Sequence, residues 1–198
     1  GAAAIILHMD TPGGDLKATE KIVQMFTKSP IPCFTYVDTN AGSAGALIAL
    51  STKKVFMAPI SAIGAAAPVS SGGQDVDATM KQKIVSYLKA RVRATSEGKG
   101  GYRGKVISAM IDEDYELKIG DTVIKKKGEL LSLTAQEAMK TYGNPPLPLL
   151  GAGISKDLNA LLDQLHGAGN YSLVRLEVTW SEKLAQYLTS LTPILLGL

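Results

Sequence analysis

The sequence predicts an α/β fold on a largely parallel sheet, and three observations carry the prediction. Short apolar runs alternate with stretches of helical periodicity. Two strand ends run into helices through glycine-bearing loops. One segment, residues 44–50, is small and apolar on every side, as a buried helix is.

Each element follows from its residues. Ala4-Ile5-Ile6-Leu7 reads as a buried strand, ended by the turn Asp10-Thr11-Pro12-Gly13-Gly14. Residues 15–28 carry Leu16, Ala18, Ile22, Val23, Met25 and Phe26 at helical spacing, and Pro30 closes that helix. Residues 32–37 form a second strand and Val55-Phe56-Met57 a third. Residues 63–68, Ile-Gly-Ala-Ala-Ala-Pro, read as a glycine–alanine loop, and residues 72–76 as a polar connection. Residues 77–97 are a long amphipathic helix broken at 98–101, and residues 104–111 another helix. Residues 115–133 alternate, with turns at Gly120-Asp121 and Lys127-Gly128: a β-hairpin plus one more strand. Thr134-Ala135-Gln136-Glu137 is a capping box that opens a short helix. Pro145, Pro146 and Pro148 mark a loop, residues 156–165 a helix with a leucine stripe, and residues 173–178 a last strand.

Composition narrows the function. The 198 residues, 45% hydrophobic and 20% charged, suit one globular domain with at most a small appendage. A net charge of +3 and aromatics that do not interleave with basic residues argue against a nucleic-acid partner. The single cysteine, Cys33, excludes an internal disulfide and a cysteine-based metal cluster; it lies in an apolar run, where packing is its role. No signal-peptide pattern opens the chain. The closing run, residues 191–198, is apolar but shorter than the roughly 20 residues that span a bilayer. It fits the first turns of a membrane segment and an apolar tail or oligomer contact equally well.

Chemistry concentrates in Asn40-Ala41-Gly42-Ser43-Ala44-Gly45. Ser43 stands where a strand ends and the buried helix begins. Free backbone N–H groups and the helix dipole favour a developing negative charge there, as an acyl-transfer nucleophile needs. By itself the motif reads more readily as a plain helix cap, and Ala41 breaks the Gly-x-Ser-x-Gly pattern. The Asp10–Gly14 loop lies at another strand end, and in parallel sheets those ends share one edge. The N–H of Gly14 or Gly13 can therefore pair with that of Ala44 to hold an oxyanion. Only His8 and His166 are available as histidines, one within a strand and one at a helix end, so a Ser–His–Asp triad is not expected. A desolvated lysine can serve as base instead. On the 77–97 helix, Lys89 falls on the polar face, whereas Lys81 and Lys83 lie near the apolar one, and periodicity does not choose between them. Ser51-Thr52-Lys53-Lys54 matches a Ser-x-x-Lys pattern but lacks its companion motifs, so it is read as chance.

Together, Leu7 to Gly14, Ser43-Ala44-Gly45 and Ile63 to Pro68 resemble the ClpP-class serine proteases, and within them the membrane-bound NfeD type, related to signal peptide peptidase A. The likeness extends through Leu130 to Ala138 and Val178 to Glu182. It implies a ClpP/crotonase-like spiral of ββα units, elaborated by the 115–133 hairpin and usually oligomeric. It implies Ser43 as nucleophile, and the Gly13-Gly14 loop with the Ala44 N–H as oxyanion hole. Lys83-Ile84-Val85-Ser86-Tyr87 matches the family's base lysine better than Lys81 does, so Lys83 is the base implied. No metal or cofactor is expected. Relatives cleave apolar segments of stomatin-like membrane proteins, which implies a polypeptide substrate of that kind. The expected organisation is a protease domain over 1–178, lacking the family's first strand and helix. Residues 179–198 would lead toward a membrane region that anchors the domain outside the cytoplasm. Two other readings are a non-catalytic membrane-assembly scaffold and a crotonase-like acyl-CoA enzyme.

Overall fold

A computed structural model describes residues 1–68, 77–96 and 101–176. The polar connection at 72–76, the end of the expected last strand and the 179–198 segment lie outside them. The chain forms two units, residues 1–161 and 162–198.

The first unit begins β1 (Ile5–Thr11), α1 (Leu16–Lys28), β2 (Cys33–Gly42), α2 (Ala44–Ser51), β3 (Val55–Met57) and β4 (Ala62–Gly64). It continues with α3 (Ala78–Ser96), α4 (Arg103–Ile111), β5 (Leu117–Ile119), β6 (Thr122–Lys125), β7 (Ser132–Thr134) and α5 (Ala135–Met139). It closes with β8 (Thr141–Tyr142), β9 (Leu147–Pro148), β10 (Gly153–Ile154) and the start of α6 (Leu158–His166). The expected α/β fold is observed.

β2 organises the sheet because it is long enough to serve three neighbours. Its first half pairs in parallel with β1, Ile5 opposite Cys33 through Met9 opposite Val37, and with β3. Its second half pairs in parallel with β4, Asn40 opposite Ala62 through Gly42 opposite Gly64. β10 adds in parallel to β3, and β7 closes the other side antiparallel to β4. The β5–β6 hairpin stands apart as its own ribbon.

Alternation along β2 divides the core. Val37 joins Leu50, Val55, Met57, Ile63, Ile107 and Met110 in the main cluster, all 0–1% exposed. Each such side chain contributes about 1.5–3 kcal/mol through burial. Tyr36 faces the other way and meets Phe56, Ala58 and Leu161 in a smaller cluster. α2 fits into the main cluster because its residues are small: a Cβ on Gly45 would lie 2.6 Å from Thr11 Cγ2.

Helix ends follow their sequence signals. Asp15 caps α1 by accepting from the Ala18 N–H at 2.8 Å, and Thr134 with Glu137 forms the capping box of α5. Two expectations need correction. The loop read at 63–68 begins as a strand, because Ala62–Gly64 finds partners on both sides in β2 and β7. Residues 173–176 take no regular element. Their alternation is present, but among the described residues no strand pairs with them, and Val174 and Leu176 are 76% and 95% exposed. In the second unit, the Asp163 carboxylate accepts from the Tyr171 hydroxyl at 3.0 Å, and Asp163 O accepts from the Gly167 N–H. Among the described residues, no helix is long and apolar enough to cross a membrane.

Candidate active site

Ser43 occupies the N-cap position of α2, yet it is not a cap. Its side chain makes no capping hydrogen bond, and its φ of 49° and ψ of −117° differ from the extended backbone an N-cap takes. A non-glycine residue there is strained by about 1–3 kcal/mol, and such strain collects at functional sites. The turn thus has the sharp strand-to-helix character of a nucleophile elbow, although its sequence departs from that pattern. The Ser43 N–H donates to Gly64 O at 3.0 Å, which ties the turn to the end of β4. Ser43 is partly exposed, and among the described residues its Oγ has no hydrogen-bond partner.

The α2 N-terminus supplies the electrostatics. Ala46 and Leu47 donate to Ser43 O at 3.0 and 3.5 Å. Among the described residues, the N–H groups of Ala44 and Gly45 have no acceptor. They form the positive end of the helix dipole, where an anion is stabilised.

The β1–α1 loop reaches this turn, as the strand-end argument predicts. A Cβ built on Gly13 would lie 2.8 Å from Ser43 Cβ, 3.3 Å from Ser43 Oγ and 3.6 Å from Ala44 N. Gly13 also has φ +140°, a conformation that suits glycine. Its N–H donates to Thr11 Oγ1 at 3.2 Å. Gly14 is exposed, has open space around it, and its N–H has no partner among the described residues. Of the two candidate donors, Gly14 is the one left available. Gly13, Ser43 and Ala44 are therefore brought together, with Gly14 next in chain.

The lysines separate. Lys81 Nζ donates to Glu113 Oε1 at 2.8 Å, and Lys89 Nζ to Asp112 Oδ2 at 2.7 Å, 5.0 Å above the Tyr115 ring. Burial pushes the Asp112 carboxyl up. The Lys89 hydrogen bond, the Asp114 N–H and the Lys89 and Lys125 charges outweigh it, so its pKa lies below the usual 3.8. Lys83 is exposed and shares a surface with Thr79, Gln82, Ser86 and Tyr87. No hydrogen bond joins it to Ser43. His8 Nε2 lies 3.3 Å from Asp38 Oδ2 on the surface. Among the described residues, no cluster of His, Cys, Asp and Glu could hold a metal ion.

One buried cation behind the site carries no local sequence signal. Arg103 Nη1 donates to the carbonyls of Leu50 and Thr52 at 2.6 and 2.7 Å, and Nη2 to that of Lys53 at 3.2 Å. Burial lowers its pKa. These contacts lie some 50 residues away in sequence, beyond any local pattern.

A small apolar groove, with a cavity volume of about 30 Å³ and open to solvent, lies between α1 and α3. Leu16, Val23, Leu47, Leu88 and Ile107 line it, with Glu20 and Arg91 beside them. Leu47 lies one helical turn from Ser43, and Leu16 follows Gly14 by two residues.

Known proteins resemble this chain in sequence and in fold. The family model of the NfeD1b N-terminal domain matches residues 1–167. Membrane protein NfeD1b of Bacillus subtilis is 34% identical over 194 residues, covering 97% of this chain and 41% of that protein. Membrane-bound protease PH1510 of Pyrococcus horikoshii is 34% identical over 172 residues, covering 84% of this chain and 33% of that protein. The chain thus spans less than half the length of either relative. Among solved structures, the 1510-N membrane-bound stomatin-specific protease superposes in two variants. A lysine-to-alanine variant with a substrate peptide has 28% identity and a TM-score of 0.70, covering 96% of this chain and 84% of that one. A serine-to-alanine variant has 32% identity and a TM-score of 0.62, covering 84% and 70%. The fold is that of this protease domain, and the chain belongs to the NfeD1b N-terminal domain family.

Proposed function

We propose that this chain is a serine endopeptidase in which Ser43 is the nucleophile and Lys83 the general base, acting on apolar segments of membrane-associated polypeptides. One observation carries the reading: a partly exposed Ser43 Oγ on a strained strand-to-helix turn, packed against Gly13 and beside the Ala44 N–H, both without a hydrogen-bond partner among the described residues.

The chemistry follows from that arrangement. The Lys83 amine accepts the Ser43 hydroxyl proton as Oγ attacks the scissile carbonyl carbon. The carbonyl oxygen becomes an oxyanion, held by the N–H groups of Ala44 and Gly14 at the positive end of α2. The lysine returns the proton to the leaving amine and the C–N bond breaks, leaving an acyl-serine. Water, deprotonated by the same amine, then releases the acid. The step requires Lys83 and Ser43 to close to hydrogen-bond distance when substrate binds, a tightening common between free and occupied sites.

Two observations support the choice of lysine. Lys81 is engaged with Glu113, whereas among the described residues no ion pair holds Lys83, whose exposed ammonium must be desolvated when substrate covers it. In the related protease domain, the replaced serine and lysine stand only one position further apart than Ser43 and Lys83, and three further than Ser43 and Lys81. The apolar groove beside Leu47 supports apolar substrate side chains, and the relative's description as stomatin-specific supports a stomatin-like membrane protein as substrate. A homo-oligomer, attached to the membrane through segments that follow residue 178 and placing this domain outside the cytoplasm, completes the proposal.

Peptide cleavage tests it. A peptide carrying an apolar segment of a stomatin homologue should be cut by the wild-type chain and left intact by Ser43→Ala and Lys83→Met. An uncut peptide together with stable self-assembly would favour the scaffold reading, and coenzyme A binding the acyl-CoA reading.

A further inference from the structure

The helix that presents Ser43 is gripped at its opposite end by a buried cation. Arg103, 8% exposed, is the first residue of α4. Its guanidinium meets the carbonyls of Leu50, Thr52 and Lys53, within or just beyond the last turn of α2. The Leu50 carbonyl belongs to the last turn of α2, where the carbonyls lack intrahelical donors and carry the negative end of the dipole; Thr52 is the C-cap and Lys53 follows it. Among the described residues, no carboxylate lies within ion-pair distance of Arg103, so carbonyls alone meet its charge. Its own helix does not favour the placement, since a cation at a helix N-terminus opposes the dipole. Burying a charge is costly, and an apolar side chain of similar volume fills such a place without that penalty. The cation is therefore explained by what it holds.

What it holds is the long axis of α2. Eight residues make a rigid rod of about 12 Å, so a shift at Leu50–Lys53 is transmitted to Ser43 and Ala44. At the other end, the Ser43 N–H to Gly64 O bond works against strained φ and ψ.

We propose that Arg103 is a positioning residue: by clamping the C-terminal carbonyls of α2, it fixes Ser43 Oγ and the Ala44 N–H in register with the Gly13–Gly14 loop. This rests on Ser43 being the nucleophile. The planar fork reaches three carbonyls at once, whereas an ammonium in its place reaches fewer.

The test is phosphonate inactivation of the 198-residue chain, resolved into kinact and KI, for wild type, Arg103→Lys and Arg103→Met. Amide hydrogen exchange at residues 44–47 is followed in the same variants. We expect kinact to fall roughly 10- to 100-fold in Arg103→Met and about threefold in Arg103→Lys. KI should stay within about twofold of wild type, with faster exchange at Ala46 and Leu47. A purely structural arginine would lower the melting temperature of both variants and leave kinact of the folded protein unchanged, which overturns the proposal. If Arg103→Met does not fold, Arg103→Lys decides by the same reading. Wild-type protein that is never acylated overturns both this proposal and the serine assignment. Labelled wild type with unchanged variants overturns this proposal alone.

Discussion

Gly13→Ala is the substitution whose effect the site's geometry specifies most closely. The new methyl would sit 2.8 Å from Ser43 Cβ and 3.3 Å from Ser43 Oγ. Carbon atoms pack at about 3.5–4.0 Å, so roughly 1 Å must be found by moving either the β1–α1 loop or the Ser43 turn. The turn resists, because the Ser43 N–H is bound to Gly64 O and α2 lies within the main core. The loop also resists, because alanine at φ +140° adds about 1–3 kcal/mol of backbone strain. A displacement of about 1 Å at an acyl-transfer site costs on the order of 100-fold in rate. The expected result is a folded variant, destabilised by about 1–3 kcal/mol in urea unfolding, whose phosphonate acylation is about 100-fold slower. Gly14→Ala is the control: its methyl enters open space, so stability should hold within about 0.5 kcal/mol. Gly13→Ala acylating within about twofold of wild type would refute the close packing of this loop on Ser43.

Two further outcomes follow. Lys83→Met should slow acylation by about a thousandfold. Lys81→Met should change it by less than about threefold and lower stability by at most about 1 kcal/mol, because its ion pair with Glu113 is 40% and 47% exposed; the opposite ranking would make Lys81 the base. Acid should destabilise the fold through Glu137 as well as Asp112. The backbone N–H and then the hydroxyl of Thr134 hold the Glu137 carboxyl below its usual 4.5, against a small opposing effect of burial. Carboxylates held below their unfolded values add stability above those values and lose it as pH falls through the folded ones. Urea stability should therefore be level above about pH 5 and decline below about pH 4.5. The decline should be shallower in Glu137→Gln with Asp112→Asn; an unchanged slope would contradict the assignment.

Much of the fold was legible because its signals are local. The Asp15 cap, the Thr134–Glu137 box and the apolar runs at 5–7 and 55–57 each act within a few residues of themselves, although the 5–7 run, expected to be buried, leaves Ile5 exposed and Ile6 and Leu7 half-buried. The sharing of one sheet edge by strand ends brought Gly13 to Ser43, and the helix of small residues marked the buried rod behind them. What escaped depends on partners distant in sequence. Ala62–Gly64 is a strand only because β2 and β7 flank it. Lys81 and Lys83 are indistinguishable by periodicity, and it is Glu113, on the turn after α4, that separates them. The positive φ of Ser43 has no signature in Gly-Ser-Ala-Gly, which suits a capped helix equally well. Arg103 is one basic residue among 21 until the carbonyls at the end of α2 are seen around it.

The central claim is that Ser43 is the acylated residue. Intact mass spectrometry after exposure to a serine-directed phosphonate measures it directly. The account predicts one adduct per chain, mapped to Ser43, absent in Ser43→Ala and greatly slowed in Lys83→Met. An unmodified wild-type chain, or an adduct that persists in Ser43→Ala, would contradict it.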